Sequence, residues 1–247
     1  MNIETSFSLQ KRSEKEKINQ DAFAISSDER IFAIADGISS AGFSEFWSPL
    51  VVKKFIEKPF VSDLDEQKLK DWLEDIRKEW SSEIDQHQSH EQTDQANELI
   101  MEMTREGGGS TTFLGMIIQE MKKKYQKLQL FGIGDTNMFL IRNKRIKYSF
   151  PVTSVESFTD QTIGLCSIDN ASQKIPELKE FNAKRGDIVI LATDALAKWI
   201  FKYYKKGGEY SWKRILKNKD NIQNFIDKLR DANKIDDDDT TCIIIRI

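Results

Sequence analysis

The run IFAIADG at residues 31–37 decides how this chain begins to fold. Its first five residues are apolar without a break, which is typical of a strand covered on both faces. Asp36-Gly37 ends the run with a turn dipeptide, so a carboxylate stands where a buried strand emerges. A second strand is predicted at 22–26, and Asp21 immediately precedes it. The first part of the chain therefore places acidic side chains at strand ends.

The residues that follow have helical periodicity. Phe46, Leu50 and Phe55 predict a helix over about 44–56, with Pro49 in its first turns. Apolar residues, including Trp72 and Trp80, then recur at steps of three and four from about 65 to 87, which is the stripe of an amphipathic helix. A further helical stretch ends at the glycines 107–109. Together these patterns predict a helical segment at about 65–106.

Strands return in the second half of the chain. Apolar runs at 111–118, 128–134, 138–142 and 146–150 predict a β-meander, whereas 151–185 has little periodicity and is assigned to loop with scattered strand. A strand at 188–193 ends at Asp194, helices follow at 195–204, 212–216 and 222–233, and 241–247 is a final strand. Strands, then helices, then strands predict α+β layers rather than βαβ repeats.

Length and composition restrict the class of protein. The 247 residues contain no linker rich in Pro, Gly or Ser, so we expect one domain over 1–247. The formal net charge of −3 gives no reason to expect nucleic acid as a partner. No apolar signal core follows Met1 and no stretch approaches the about 18 apolar residues of a membrane span, so we expect no membrane partner and a cytoplasmic location. Cys166 and Cys242 lie far apart, which disfavours a disulfide framework or a cysteine metal site.

Aspartates recur where apolar strands begin or end. Asp36, Asp135, Asp194 and Asp238 lie at or beside such ends, and Asp21 precedes one. Taken singly, each has an ordinary explanation as a turn residue, a helix cap or part of a solvated loop. Taken together, they would repel one another unless cations lay between them, and hard cations such as Mg²⁺ and Mn²⁺ select oxygen ligands. The set as a whole therefore predicts a metal site.

Six short motifs, taken in chain order, resemble the successive signatures of protein phosphatase 2C domains. They are Asn19-Gln20-Asp21, Ala35-Asp36-Gly37, Gly109-Ser110-Thr111-Thr112, Gly134-Asp135-Thr136, Ala192-Thr193-Asp194-Ala195 and Asp238-Asp239-Thr240-Thr241. The resemblance spans 19–247 and is nearest to a divergent bacterial group. It implies two packed antiparallel sheets flanked by helices, an αββα sandwich, in agreement with the layers inferred from the strand and helix pattern.

The resemblance also implies a role for each acidic residue. Asp36 bridges two Mn²⁺ or Mg²⁺ ions, the Gly37 carbonyl binds one of them, and Asp194 and Asp238 complete the second. Asp21 acts through a metal-bound water. Asp135 either joins Asp194 at a weaker third cation or is a turn aspartate, and the sequence leaves both readings open.

The activity implied is that of a metal-dependent Ser/Thr protein phosphatase, in which a water activated by the ions attacks the phosphoryl group in line. The partners implied are a phosphorylated protein and an opposing Ser/Thr kinase. Other nucleophiles find no support, because the cysteine motif of tyrosine phosphatases is missing and His87 and His90 lie in a polar region at a helix end. The glycines at 107–109 lack the lysine that a P-loop needs.

The sequence departs from the family pattern near the substrate. Many members carry a phosphate-gripping arginine five positions before the aspartate matched by Asp21, and Glu16 stands there. The segment that usually introduces a flap beside the substrate is replaced by 151–158. These changes leave two alternatives open: a catalytically weak module that binds phosphoproteins, and a phosphatase for small phosphate esters.

Overall fold

The computed structural model describes residues 1–12, 18–90, 106–120, 125–159, 162–169, 173–205 and 211–247. In these residues the strands are β1 Asn2–Leu9, β2 Ala22–Ile25, β3 Ile31–Gly37, β4 Ser110–Glu120, β5 Tyr125–Ile133, β6 Asn137–Arg142, β7 Arg145–Phe150, β8 Leu165–Cys166, β9 Glu177–Lys184, β10 Ile188–Ala192 and β11 Thr240–Arg246. The α-helices are α1 Ser44–Glu57, α2 Glu66–His90, α3 Asp194–Lys205, α4 Ser211–Lys217 and α5 Ile222–Asp231. Short 3₁₀ turns lie at Val155–Ser157 and Lys219–Asn221.

The strands form two antiparallel sheets. The first has the order β1-β11-β10-β6-β7, and the second has the order β2-β3-β4-β5-β9 with β8 paired to β4. Apolar side chains of both sheets form a shared middle layer, to which Ile34 and Leu114 contribute from the second sheet and Leu140 and Ile243 from the first. The two sheets therefore pack face to face around one apolar layer.

Helices cover the outer face of each sheet. Trp47 and Phe55 of α1 and Trp72 and Trp80 of α2 pack on the second sheet. Helices α3, α4 and α5 pack on the first, around residues such as Trp199. The four layers confirm the predicted αββα sandwich, and the two tryptophans on the predicted stripe are packing residues.

Strand β3 shows why the run at 31–37 is continuously apolar. Phe32 and Ile34 point into the middle layer between the sheets, whereas Ala33 and Ala35 face the layer of α1 and α2. Both faces are covered, so the strand carries no polar face. The small outward residues leave room for α1 to lie close to the sheet.

Strand β1 was not predicted, and β8 and β9 lie in the segment that the sequence assigned only to loop with scattered strand. Strand β1 pairs with β11, and a bulge between Ile3 and Thr5 shifts its register. Ile3 therefore faces the middle layer, while Phe7 and Leu9 face the helices. Strand β9 lies within the segment assigned to loop with scattered strand; it pairs with β5 along its whole length, from Tyr125↔Lys184 to Gly132↔Glu177.

The helical prediction at 65–106 is tested only in part. Helix α2 runs from Glu66 to His90, slightly beyond the predicted end, and 91–105 lie outside the described residues. Pro49 lies in the second turn of α1, as its sequence position required. No helix in the described part of the chain has the length and apolar character needed to cross a membrane.

Candidate metal centre

Antiparallel pairing brings the acidic strand ends to one end of the sandwich. In the second sheet, β2 begins beside the end of β3, so Asp21 and Asp36 are neighbours. In the first sheet, β11 begins beside the end of β10, so Asp238 and Asp194 approach the same edge. Asp135 lies in the connection from β5 to β6, which passes from one sheet to the other.

Direct contacts join the two sheets at this end. The backbone N–H of Asp194 donates to Oδ2 of Asp36 at 3.4 Å. The hydroxyl of Thr193 donates to Oδ2 of Asp21 at 2.9 Å and accepts from the N–H of Thr241 at 2.9 Å. Asp21, Asp36 and Asp194 therefore belong to one connected cluster, in which Thr193 orients the Asp21 carboxylate.

Gly37 allows the segment before Asp21 to approach β3. Its N–H donates to the carbonyl of Gln20 at 3.1 Å. A Cβ at this position would lie 2.7 Å from that carbonyl oxygen and 3.0 Å from Cβ of Ser44. The glycine that the sequence associates with metal binding is thus also required to bring Asp21 beside Asp36.

The carboxyl groups of the cluster raise one another's pKa. Burial, followed by the charges of Asp21 and Asp194, raises the pKa of Asp36 well above its usual range. Burial also raises the pKa of Asp21 well above the usual range, and Asp239 and Asp194 add to this shift. The pKa of Asp238 is raised by burial and by Asp194. Ionised carboxylates crowded in this way favour a bound cation.

Asp135 belongs to the same electrostatic system. Burial and the charge of Asp194 raise its pKa to about 6, and Lys198 partly offsets the shift. Its Oδ2 accepts a long hydrogen bond of 3.4 Å from the hydroxyl of Thr162. A turn aspartate in water would not show this shift, so its position between the sheets brings Asp135 under the influence of the cluster.

The donor set suits a hard divalent cation. Oδ1 of Asp21 is buried and has no hydrogen-bond partner among the described residues, although a buried carboxylate oxygen normally requires one. Within the described residues, no three acidic, histidine or cysteine side chains meet closely enough to hold an ion by themselves. Mg²⁺ commonly takes one or two carboxylates and keeps several waters, so this spacing suits ions that retain water.

A loop network that was not predicted surrounds Asp238. Arg230, whose side chain is fully buried, donates to the carbonyl of Asp238 at 2.7 Å and to the carbonyl of Gln10 at 3.1 Å. The carboxylate of Asp239 accepts from the N–H of Lys11 at 2.8 Å and from the N–H of Gln20 at 2.7 Å. Asp239 thus ties both flanks of 13–17 to the metal end of the molecule. Glu16 itself lies outside the described residues.

A family model for protein phosphatase 2C matches residues 10–234. This match includes every acidic position of the candidate site except Asp238 and spans most of the chain. The chain therefore belongs to the protein phosphatase 2C family. As a member of that family, it is a metal-dependent phosphoprotein phosphatase, a phosphoric monoester hydrolase that acts on phosphorylated proteins.

Solved structures of the same architecture cover almost the whole chain. The catalytic domain of the serine/threonine protein phosphatase PstP, solved with two manganese ions, has a TM-score of 0.55 and 18% identity over 97% of this chain and 95% of that chain. The phosphatase PstP/Ppp of Mycobacterium tuberculosis has a TM-score of 0.58 and 17% identity over 98% of this chain and 97% of that one. Stp1 from Staphylococcus aureus has a TM-score of 0.58 and 13% identity over 100% of this chain and 96% of that one.

These identities are low, so the likeness to the solved structures establishes the fold alone. No curated protein is a significant match to this sequence. The roles of individual residues must therefore be argued from the geometry of this chain.

Proposed function

We propose that this chain dephosphorylates phosphoserine and phosphothreonine in proteins with two Mn²⁺ or Mg²⁺ ions at the metal end of the sandwich. Asp36 would lie between the ions, the Gly37 carbonyl would bind one, and Asp194 and Asp238 would bind the other. The observation that carries the proposal is the pair of contacts that join Asp194 to Asp36 and Thr193 to Asp21 across two sheets. Crowding of carboxylates with raised pKa values supports it.

The position of each acidic residue suits it to a different role in the proposed reaction. The backbone N–H of Asp194 donates to the carboxylate of Asp36 across the two sheets, so the placement of the two residues relative to each other depends on the packing of the sheets. Asp21 presents a buried oxygen for which the described part of the chain offers no hydrogen-bond partner, which suits a role in holding a water in place for attack. When bound, two divalent ions lower the pKa of a water and neutralise charge on the phosphoryl group.

The setting of the enzyme is part of the proposal. An opposing Ser/Thr kinase would supply its substrates, and neither nucleic acid nor a membrane would be a partner. Both cysteines are unpaired thiols, which supports a reducing compartment such as the cytoplasm. We further propose that residues 1–247 form one domain.

Release of phosphate from a phosphopeptide panel and from a chromogenic ester tests the proposal. We expect turnover with Mn²⁺ or Mg²⁺ and none after exhaustive chelation. Asp36→Asn should reduce the rate by several orders of magnitude while the protein stays folded, because it removes a carboxylate charge from both ions. The matched control is Asp71→Asn on the exposed face of α2, which should retain the wild-type rate.

Full turnover in the presence of chelator, or in the Asp36→Asn variant, would show that the nucleophile does not depend on these ions. Turnover of the ester but of no phosphopeptide would instead indicate an enzyme for small phosphate esters.

A further inference from the structure

A lysine side chain lies inside the acidic cluster. Lys198 follows Asp194 by one turn of α3, and its Nζ is 2.6 Å from Oδ2 of Asp194. The same ammonium is 3.8 Å from Oδ2 of Asp236. Only 25% of the Lys198 side chain is exposed, so this pair is shielded from water much more than an ordinary surface ion pair.

The ammonium is held in place by more than one contact. It lies over the ring of Phe158, 5.5 Å from the centroid, and Phe158 in turn packs on Phe201 of α3 at 6.2 Å between ring centroids. The next residues along the helix, Trp199 and Ile200, are buried in the core on the first sheet. Helix packing below and an aromatic ring above therefore restrict where the ammonium can lie.

Lys198 contacts one of the two carboxylates expected to hold a third cation. One of the two readings that the sequence leaves open for Asp135 joins it to Asp194 at a weaker third ion. Lys198 is in contact with Asp194, and its charge partly offsets the upward shift of the Asp135 pKa. One of the two carboxylates expected for a third divalent ion is thus already paired with a positive charge belonging to the chain.

We propose that Lys198 substitutes for the third divalent ion, so that this phosphatase binds two ions and carries the third positive charge as a fixed ammonium. The inference rests on the proposed function of the same site. Lys198 occupies Oδ2 of Asp194 and leaves Oδ1 for an ion, and a divalent cation approaching Asp135 would meet a like charge. Lys198 is accordingly a positioning residue for Asp194.

Counting bound Mn²⁺ on the full chain tests this directly. Free Mn²⁺ would be measured by electron paramagnetic resonance during a titration into the millimolar range, with calorimetry as a second readout. The wild type should bind two ions. Lys198→Gln removes the charge at similar length and should bind a third, weaker ion, whereas the double variant Lys198→Gln, Asp135→Asn should return to two.

The matched control is Lys202→Gln, an exposed lysine one turn further along α3, which should bind two ions. If Lys198→Gln does not fold, Asp135→Asn in the wild-type background decides the question, because its count should stay at two.

Three ions in the wild type, two in folded Lys198→Gln, or a loss of one ion in Asp135→Asn would each overturn the inference. These results leave the proposed function standing, whereas a failure of every variant to bind Mn²⁺ would overturn the proposed function itself.

Discussion

Replacing Arg230 by methionine should loosen the loop that carries Asp238. The side chain of Arg230 is fully buried, and it donates to the carbonyl of Asp238 at 2.7 Å and to the carbonyl of Gln10 at 3.1 Å. It also contacts the carboxylates of Asp227 at 3.2 Å and Asp237 at 3.4 Å. Methionine has similar length but no donor, so the two carbonyls and two carboxylates would lose their partner together.

The size of the effect follows from these contacts. Each hydrogen bond from a charged donor contributes about 1.5–3 kcal/mol, and loss of one partner of a buried pair costs about 3–5 kcal/mol. The carboxylates of Asp227 and Asp237 are 30% and 36% exposed and can recover water, which places the expected loss at the lower end. We expect about 3 kcal/mol, or a fall in Tm of about 6–12 °C for a chain of this size.

The assay is thermal unfolding in chelator together with Mn²⁺ binding. Because Arg230 holds the backbone of a residue proposed to bind metal, the affinity for Mn²⁺ should also fall, by about 10–100-fold as for other groups that support ligands. The matched control is Arg12→Met, since Arg12 contacts Asp231 and Asp237 from the exposed side of the same loop. If Arg230→Met lowered Tm no more than Arg12→Met, the buried network would not be what holds the loop.

Three further predictions test other parts of the site. In chelator, Tm should fall as pH rises from about 4 through about 6, because the pKa of Asp135 is raised to about 6 in the folded protein, which in this window binds more protons than the unfolded chain does. Saturating Mn²⁺ should reverse this slope, and an unchanged slope would contradict the cluster. Gly37→Ala should lower Tm and Mn²⁺ affinity, since its Cβ would lie 2.7 Å from the Gln20 carbonyl, whereas Gly107→Ala, with open space around its Cβ, should not. Glu16→Arg should lower the KM for a simple phosphate ester several-fold with a smaller change in kcat, because arginine offers paired donors to phosphate. An unchanged KM in a variant with normal metal affinity would mean that phosphate is held by the ions alone.

Most elements of the sandwich were predictable because each has a regular apolar pattern. Strand β3 has a continuous apolar run, and helix α2 has a continuous apolar stripe. Both elements agree with prediction to within a few residues at each end. Strand β1 was missed because only Ile3, Phe7 and Leu9 among its residues are strongly apolar, and the bulge hides their alternation. The segment that contains β9 was predicted only as loop with scattered strand. The reason is that β9 lies at a sheet edge, where charged residues are common.

The site was predictable only where its residues occupy strand ends. Asp36 and Asp194 each follow an apolar run, and antiparallel pairing then brings them together. Arg230 and Asp239 carry no such signal, because the contacts that tie them to the N-terminal segment, from Arg230 to Gln10 and from Asp239 to Lys11, join residues more than two hundred positions apart. Lys198 could have been suspected from its position four residues after Asp194 on a helix, a spacing that places oppositely charged side chains on one face.

The two ends of the sandwich show what the acidic cluster lacks. At the end opposite the candidate site, Asp187 is buried to 3% exposure, and Arg142 donates to its carboxylate from Nε at 3.0 Å and from Nη2 at 2.6 Å. At the site, Asp21 is buried to 6% exposure, yet one of its oxygens has no hydrogen-bond partner within the residues that the structure describes. A fold that provides an arginine for one buried aspartate could have provided one for the other. Because an uncompensated buried carboxylate is destabilising, the simplest physical account is that Asp21 is matched to a positive charge from outside the described residues, which at the proposed metal centre is a bound divalent cation.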